Sequence, residues 1–358
     1  HGFKNVITVD MGGTSFDVAL VKDAEPSVTT EGIIDGNRIA SPILDIHTIG
    51  AGGGSIAWID SGGMLAVGPK SAGAEPGPAC YGRGGTRPTV TDAQFMLGYL
   101  DPAFFEAGEL NFDGAAARHA VDEHVAKPLK MDTVQAAAGI FDIVNNTMAA
   151  ALGVVSVQRG YDPREFVLVV AGGAGPIHAA PIARELQIPL ILIPRASSVF
   201  CAAGMLISDL KHDYVRTYAR DFDQVDAAEV QKLFNEMAAD ARKVLKTEHV
   251  PDKKVEITYT ADIRYVGQFN EVEVHVPSGG KINQAALVKM AEDFHKRHDS
   301  LYGYSMRGAT LELINLRITG RGRTDKPKQE KFRRKGSTST HACVGKRRAY
   351  FVGRFREV

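Results

Sequence analysis

The chain is short of the residues that staple or anchor a fold. It has three cysteines and one tryptophan in 358 residues. Cys80, Cys201 and Cys343 are far apart and cannot all pair. No Cys-x-x-Cys or Cys/His ligand spacing is present, so neither a disulfide framework nor a structural zinc site is supported. A reducing, cytoplasmic setting is the simplest expectation. Net charge is also missing, with 42 basic and 42 acidic residues. No global field therefore draws the chain to nucleic acid or to a membrane surface. No apolar run approaches the roughly 18–20 residues of a membrane span. The start, His1-Gly2-Phe3-Lys4-Asn5, has no signal-peptide pattern and no initiator Met. A strand pattern begins at Val6, so the start reads as the interior of a gene. What is plentiful is glycine, 37 residues, and it is clustered.

The length suits two or three packed domains. Val6–Asp10 reads as a buried strand, Met11–Ser15 as a turn and Phe16–Val21 as a second strand, giving a hairpin. Residues 39–49 are expected to be extended, interrupted by Pro42. The glycine-rich block Gly50–Gly85 lacks helical periodicity. Its small residues and lone Trp58 predict ordered, close-packed loops with Trp58 buried. Helices are expected at Asp92–Leu100 and Gly114–Ala126, and a buried Ala-rich helix from the Asp132 cap to about Val157. Phe166–Val170 reads as a strand that turns through Gly172–Pro176 into a helix, Ile177–Leu186. Pro189–Ile193 is a further strand, and a helix is expected near Ser198–Lys211. Helices at Asp226–Glu248 and Gln284–Tyr302 join strands at Val255–Arg264, Glu271–Val276 and Leu311–Gly320. The reading is an α/β domain over 1–211, with the glycine-rich insertion at 50–85, then an α+β domain over 212–320. Residues 321–358 read as a basic linker or the start of a truncated C-terminal region.

Two glycine clusters carry chemistry. In Asp10-Met11-Gly12-Gly13-Thr14-Ser15-Phe16-Asp17 the glycines let an anion approach the backbone, and successive N–H groups make a concave donor site for phosphate. Thr14 and Ser15 add hydroxyls. Asp10 is placed to orient a hydrated Mg²⁺, which favours one or two carboxylates plus phosphate oxygens. The competing reading is a polar-capped structural hairpin. In the second cluster, Gly172, Gly173 and Gly175 lie in a strand-to-helix turn where a nucleotide can rest on backbone and a helix N-terminus. No P-loop Lys follows it, and it matches the dinucleotide fingerprint poorly. The order of a phosphate hairpin, an insertion and a GGxG turn is that of the actin/hexokinase/Hsp70-like ATPase fold. His47 and Arg83 are substrate candidates, each with a packing or surface reading beside it. Cys80 reads as a structural thiol, His178 as a structural or nucleotide-edge residue and His212 with Asp213 as a polar pair. His295 and His298 are read as a solvated helix face.

The resemblance is closer than fold. DMGGTSFDV at 10–18, DIHTIGAGGGSIAW at 45–58, VGPKSAGAEPGPACYGRGGTRPTVTD at 67–92, QRGYDPREFVLVVAGGAGPIH at 158–178 and RYVGQ at 264–268 resemble signatures of the hydantoinase A/5-oxoprolinase family. That family includes acetone and acetophenone carboxylase subunits. The resemblance implies a partial ATPase fold with an α+β C-terminal domain. The Asp10–Asp17 motif resembles the family's second phosphate motif, and Gly172–His178 its adenosine motif. The first phosphate motif and the usual C-terminal end are missing, so activity of this fragment alone is not expected. The implied cofactors are ATP and Mg²⁺, and the implied partner is a B-type subunit or fused half in a hetero-oligomer. The expected reaction is ATP-dependent ring opening of a hydantoin, 5-oxoproline or related lactam through phosphorylation of the carbonyl oxygen. Ketone carboxylation is the close alternative. A non-catalytic ATPase-fold module is the alternative from another class. The Gly12-Gly13 hairpin argues against a Rossmann oxidoreductase.

Overall fold

A computed structural model describes all residues except 1, 30–31, 35, 40–42, 103–111, 327–342 and 344. The expectations at Pro42 and over most of the basic stretch 321–348 lie outside the described residues. The chain divides into two compact units, His1–Ala203 with Phe332–Val358, and Gly204–Lys331. The sequence boundary at 211 falls beyond this division, and the last residues group with the first unit.

The first unit is built on a six-stranded sheet. Strand β1 (Val6–Met11) alternates, burying Ile7, Val9 and Met11, and β2 (Phe16–Lys22) buries Phe16, Val18 and Leu20 on the same side. The short β3 (Glu25–Pro26) and β4 (Ile46–Ile49) both pair with β2. Within the glycine-rich block, β5 (Ser55–Ile59) and β6 (Leu65–Ser71) form an antiparallel hairpin. Parallel strands β7 (Val167–Ala171) and β8 (Leu190–Leu192) complete the sheet, in the order β8-β7-β1-β2-β3. Helix α1 (Val90–Met96) starts in a capping box made by Thr89 and Asp92. Helix α2 (Gly114–Val121) is capped by Asp113. Helix α3 (Thr133–Val155) is capped by Asp132, which accepts from the N–H of Val134 at 2.8 Å.

By length and composition, the segment Thr133–Arg159 is long and apolar enough to cross a membrane, which corrects the expectation that no such segment exists. Residues of α3, including Ile140, Val144, Met148 and Leu152, are buried in the core of the first unit, where they pack with the inward face of β1 and β2.

The block 50–85 is ordered, but Trp58 is 37% exposed, against the expectation of burial. Its indole N–H donates to Gly68 O at 2.9 Å, and Ile56 takes the buried position instead. The block is closed by Asp92, which is fully buried. Its carboxylate accepts from the N–H of Cys80 at 2.7 Å, of Thr89 at 2.8 Å and of Ala79 at 3.2 Å. These bonds tie the loop at 79–80 to the start of α1.

Helices α4 (Gly175–Glu185) and α5 (Phe200–Ile207) follow β7 and β8. The helix expected to reach Lys211 stops at Ile207. Strand β9 (Leu210–Asp221) of the second unit follows instead. Its sheet is antiparallel in the order β9-β12-β10-β11, with β10 (Val255–Tyr265), β11 (Val272–His275) and β12 (Leu311–Gly322). Helices α6 (Ala227–Thr247) and α7 (Gln284–Tyr302) share its core through Phe234, Met237, Met290 and Phe294. Back in the first unit, β13 (Arg348–Phe351) and β14 (Arg354–Glu357) form a hairpin. It is held by the Tyr350 N–H on Leu97 O at 2.8 Å and the Tyr99 hydroxyl on Tyr350 O at 2.6 Å.

Candidate nucleotide site

The two glycine clusters meet at one end of the sheet. Strands β1 and β7 run parallel with Asp10 opposite Ala171, so the β1–β2 tip and the turn after β7 emerge side by side. The Ala174 N–H donates to Met11 O at 3.1 Å. Gly172 has φ +84°, and a Cβ there would lie 2.1 Å from Met11 O. Gly175 is also a packing position, because its Cβ would meet Val170 at 3.0 Å. Gly12, Gly13 and Gly173 differ, since a Cβ at any of them would meet nothing within 4 Å. These three leave open space above the junction.

The loop Gly52–Gly54 backs the hairpin tip. Gly53 N–H donates to Gly12 O at 3.0 Å, and Gly54 N–H to Gly13 O at 2.6 Å. In a planar trans peptide the following N–H points opposite the carbonyl. The amides of Gly13 and Thr14 are therefore turned away from that loop. Gly52 itself must be glycine, since its Cβ would fall 2.4 Å from Thr14 N. Gly50–Gly54 of the family-like signature is thus the support of the tip.

Asp10 and Asp17 are directly opposite across the hairpin. Both lie on the sheet face away from the buried Val9, Met11, Phe16 and Val18, and both are half-buried. Asp17 accepts from Thr48 Oγ1 at 2.6 Å and from Ser15 Oγ at 3.3 Å. Asp10 accepts from the Cys201 thiol at 3.0 Å. Two carboxylates facing each other repel unless a cation or hydrogen-bond donors offset them. One or two carboxylates beside open space for phosphate oxygens suit hydrated Mg²⁺. Among the described residues there is no group of three acidic, His or Cys side chains that would enclose a metal by itself.

Cys201 was not singled out in the sequence. It reaches Asp10 because Gly172 N–H donates to Ser197 O at 2.8 Å, which docks the turn before α5 against the glycine turn. Asp10, through the hydrogen bond and its charge, raises the Cys201 thiol above its ordinary value. No spacing rule links residues 191 positions apart.

Of the remaining candidates, His47 turns away from this junction. On β4, Thr48 bonds Asp17, so the alternation of the strand puts His47, paired with Val18, on the opposite face. Arg83 is exposed on the loop after residues 79–81. Cys80 is buried, and that burial with the Asp92 charge raises its thiol far above the ordinary range, leaving an inert structural group.

His178 is fully buried. Its Nδ1 donates to Asn145 Oδ1 at 2.8 Å, which leaves Nε2 to accept from Gln94 Nε2 at 2.6 Å. It stacks on Phe141, and burial lowers its pKa to about 3. In the second unit, His295 and His298 are buried rather than solvated, which corrects the sequence reading. His295 bonds the Tyr265 hydroxyl at 2.8 Å, and His298 bonds Tyr304 O at 2.9 Å and Gln268 Oε1 at 3.2 Å. Tyr265 and Gln268 come from the RYVGQ stretch, which therefore holds α7 to the end of β10. His212 pairs with Glu248 at 2.9 Å, while Asp213 bonds Thr319 at 2.6 Å.

A β-hairpin and a glycine turn meeting at one end of a mixed sheet, with a separate α+β unit, define a partial actin/hexokinase/Hsp70-like ATPase fold. The family models agree. Residues 1–214 match Hydantoinase/oxoprolinase, and residues 218–358 match the Hydantoinase/oxoprolinase C-terminal domain. The chain belongs to the hydantoinase/oxoprolinase family. It is 39% identical over 329 residues to the caprolactamase subunit alpha of Pseudomonas jessenii, covering 91% of this chain and 47% of that protein. It is 36% identical over 367 residues to the acetophenone carboxylase gamma subunit of Aromatoleum aromaticum, covering 98% and 49%. A nucleotide-free acetone carboxylase structure, from work on ATP-dependent acetone carboxylation, superposes with a TM-score of 0.88 at 25% identity. That superposition covers 99% of this chain and 52% of the other. The chain spans about half the length of these relatives.

Proposed function

We propose that this chain forms the second-phosphate and adenosine side of the ATP site in an ATP-dependent ring-opening amidohydrolase. Its substrate class is a hydantoin, 5-oxoproline or related lactam. The observation that carries the reading is the junction of the Gly12–Ser15 tip with the Gly172–Gly175 turn, open above Gly12, Gly13 and Gly173. When bound, MgATP supplies the phosphoryl group that activates the poorly reactive amide oxygen toward water. The Gly13 and Thr14 amides and the Thr14 hydroxyl hold phosphate oxygens. Asp10 orients the hydrated metal, with Asp17 opposite it. Gly173 leaves room for the nucleoside. Catalysis then rests on positioning and on neutralising phosphate charge.

A B-type subunit or fused second half completes the enzyme in this reading. The relatives support it through their printed names as alpha and gamma subunits. A second reading, ATP-dependent ketone carboxylation, is favoured by the 0.88 superposition on acetone carboxylase. One assay separates them. The full-length enzyme with its partner should hydrolyse ATP faster when a lactam or hydantoin is added. Stimulation only by a ketone with bicarbonate would transfer the reading to carboxylation. Stimulation by neither would leave a non-catalytic ATPase-fold module.

A further inference from the structure

We propose that Cys201 is a positioning residue for Asp10, its thiol holding one carboxylate oxygen so that the other faces the hydrated metal. This rests on the nucleotide-site reading above. Two independent contacts bring Cys201 to that place. Its Sγ lies 3.0 Å from Asp10 Oδ2, and the segment just before it is bonded to the glycine turn through Gly172 N–H and Ser197 O at 2.8 Å. The junction therefore has a third wall, formed by residues 197–201, beside the hairpin tip and the turn.

Asp10 needs such a donor. Asp17, directly opposite, already has two hydroxyl donors, Thr48 and Ser15. Without Cys201, Asp10 would face that carboxylate with free rotation about its Cβ–Cγ bond. A hydrogen bond to Oδ2 fixes the carboxylate plane and leaves Oδ1 as the remaining acceptor. The side chain also sits within the first turn of α5, a short helix whose residues are largely exposed. Cys201 thus carries no core packing, and its removal should leave the fold unchanged.

The test compares Cys201→Ala, which removes the donor, with Cys201→Ser, which keeps one. In the full-length enzyme with its partner, binding of a fluorescent ATP analogue is titrated with Mg²⁺ in the absence of substrate. Cys201→Ala should raise the Mg²⁺ concentration for half-maximal binding by roughly 3- to 10-fold, the size of one ordinary hydrogen bond, since a thiol is a weak donor. Cys201→Ser should restore most of it, and both variants should melt like the unmodified enzyme. If Cys201→Ala shows the unmodified Mg²⁺ dependence, the positioning role is overturned. If the unmodified enzyme shows no Mg²⁺-dependent nucleotide binding, the nucleotide-site reading itself has failed, and the two failures are distinct.

Discussion

His178 sits at the start of α4, three residues after Gly175, and its ring is closed off from solvent between Phe141, Asn145 and Gln94. Burial holds its pKa at about 3, against an ordinary value of 6.5. Between those values the unfolded chain takes up a proton that the folded chain refuses. Its contribution to stability is therefore present above pH 6.5 and is lost as pH falls toward 3. The slope is about 1.4 kcal/mol per pH unit for one such group. Unfolding free energies measured from pH 7 down to pH 4 should fall less steeply in His178→Gln than in the unmodified protein. Equal slopes would mean that His178 is protonated inside the fold. Residue type at a helix start suggested a structural or nucleotide-edge role for this histidine, but the choice needed its neighbours. Gln94 is 84 positions away and Asn145 is 33. Trp58 and His298 show the same limit. A tryptophan in a glycine-rich block suggests burial, and a histidine on a charged helix suggests solvent. Here Trp58 is 37% exposed, while His298 is 1% exposed beneath Tyr302 and Tyr304.

Elements with strong punctuation were readable in the sequence. Helix α7 runs over the expected Gln284–Tyr302 because Asn283 caps its start and Gly303, at φ 76°, ends it. Strand β9 was missed because it alternates half-buried with long polar side chains, and its first residues continued an apolar helical run. The β5–β6 hairpin was hidden among glycines, which pack against backbone rather than report a period. The Gly68 Cβ, for example, would lie 2.5 Å from Gly50 O. The turn after β7 gives the sharpest contrast at this scale. Gly172→Ala must place a methyl group against Met11 O in a left-handed conformation, so it should destabilise the protein by about 2 kcal/mol or more. Gly173→Val meets open space, so melting should be nearly unchanged while ATP binding weakens roughly tenfold or more. Calorimetry on both variants checks this. Loss of stability in Gly173→Val, or a stable Gly172→Ala, would reverse the assignment of the two glycines.

For the whole molecule, the chain carries one Asp-x-Gly-Gly-Thr motif and spans about half the length of its relatives. Three of the five motifs that made the family readable serve the same end of one sheet. Asp10–Asp17 forms the tip, Gly50–Gly54 backs it and Gly172–Gly175 faces it. Substrate class was not readable in this way, since His47 lies on the strand face opposite the one that meets Asp17. The central claim is that this tip holds the phosphate and metal end of ATP, and Asp10→Asn tests it most directly. The change preserves shape and much of the hydrogen bonding, and removes the charge that orients the metal. In the full-length enzyme with its partner, substrate-dependent ATP hydrolysis should fall by about 10²-fold, the usual loss for one electrostatic element, with an unchanged melting temperature. ATP turnover at the unmodified rate in Asp10→Asn would contradict the account.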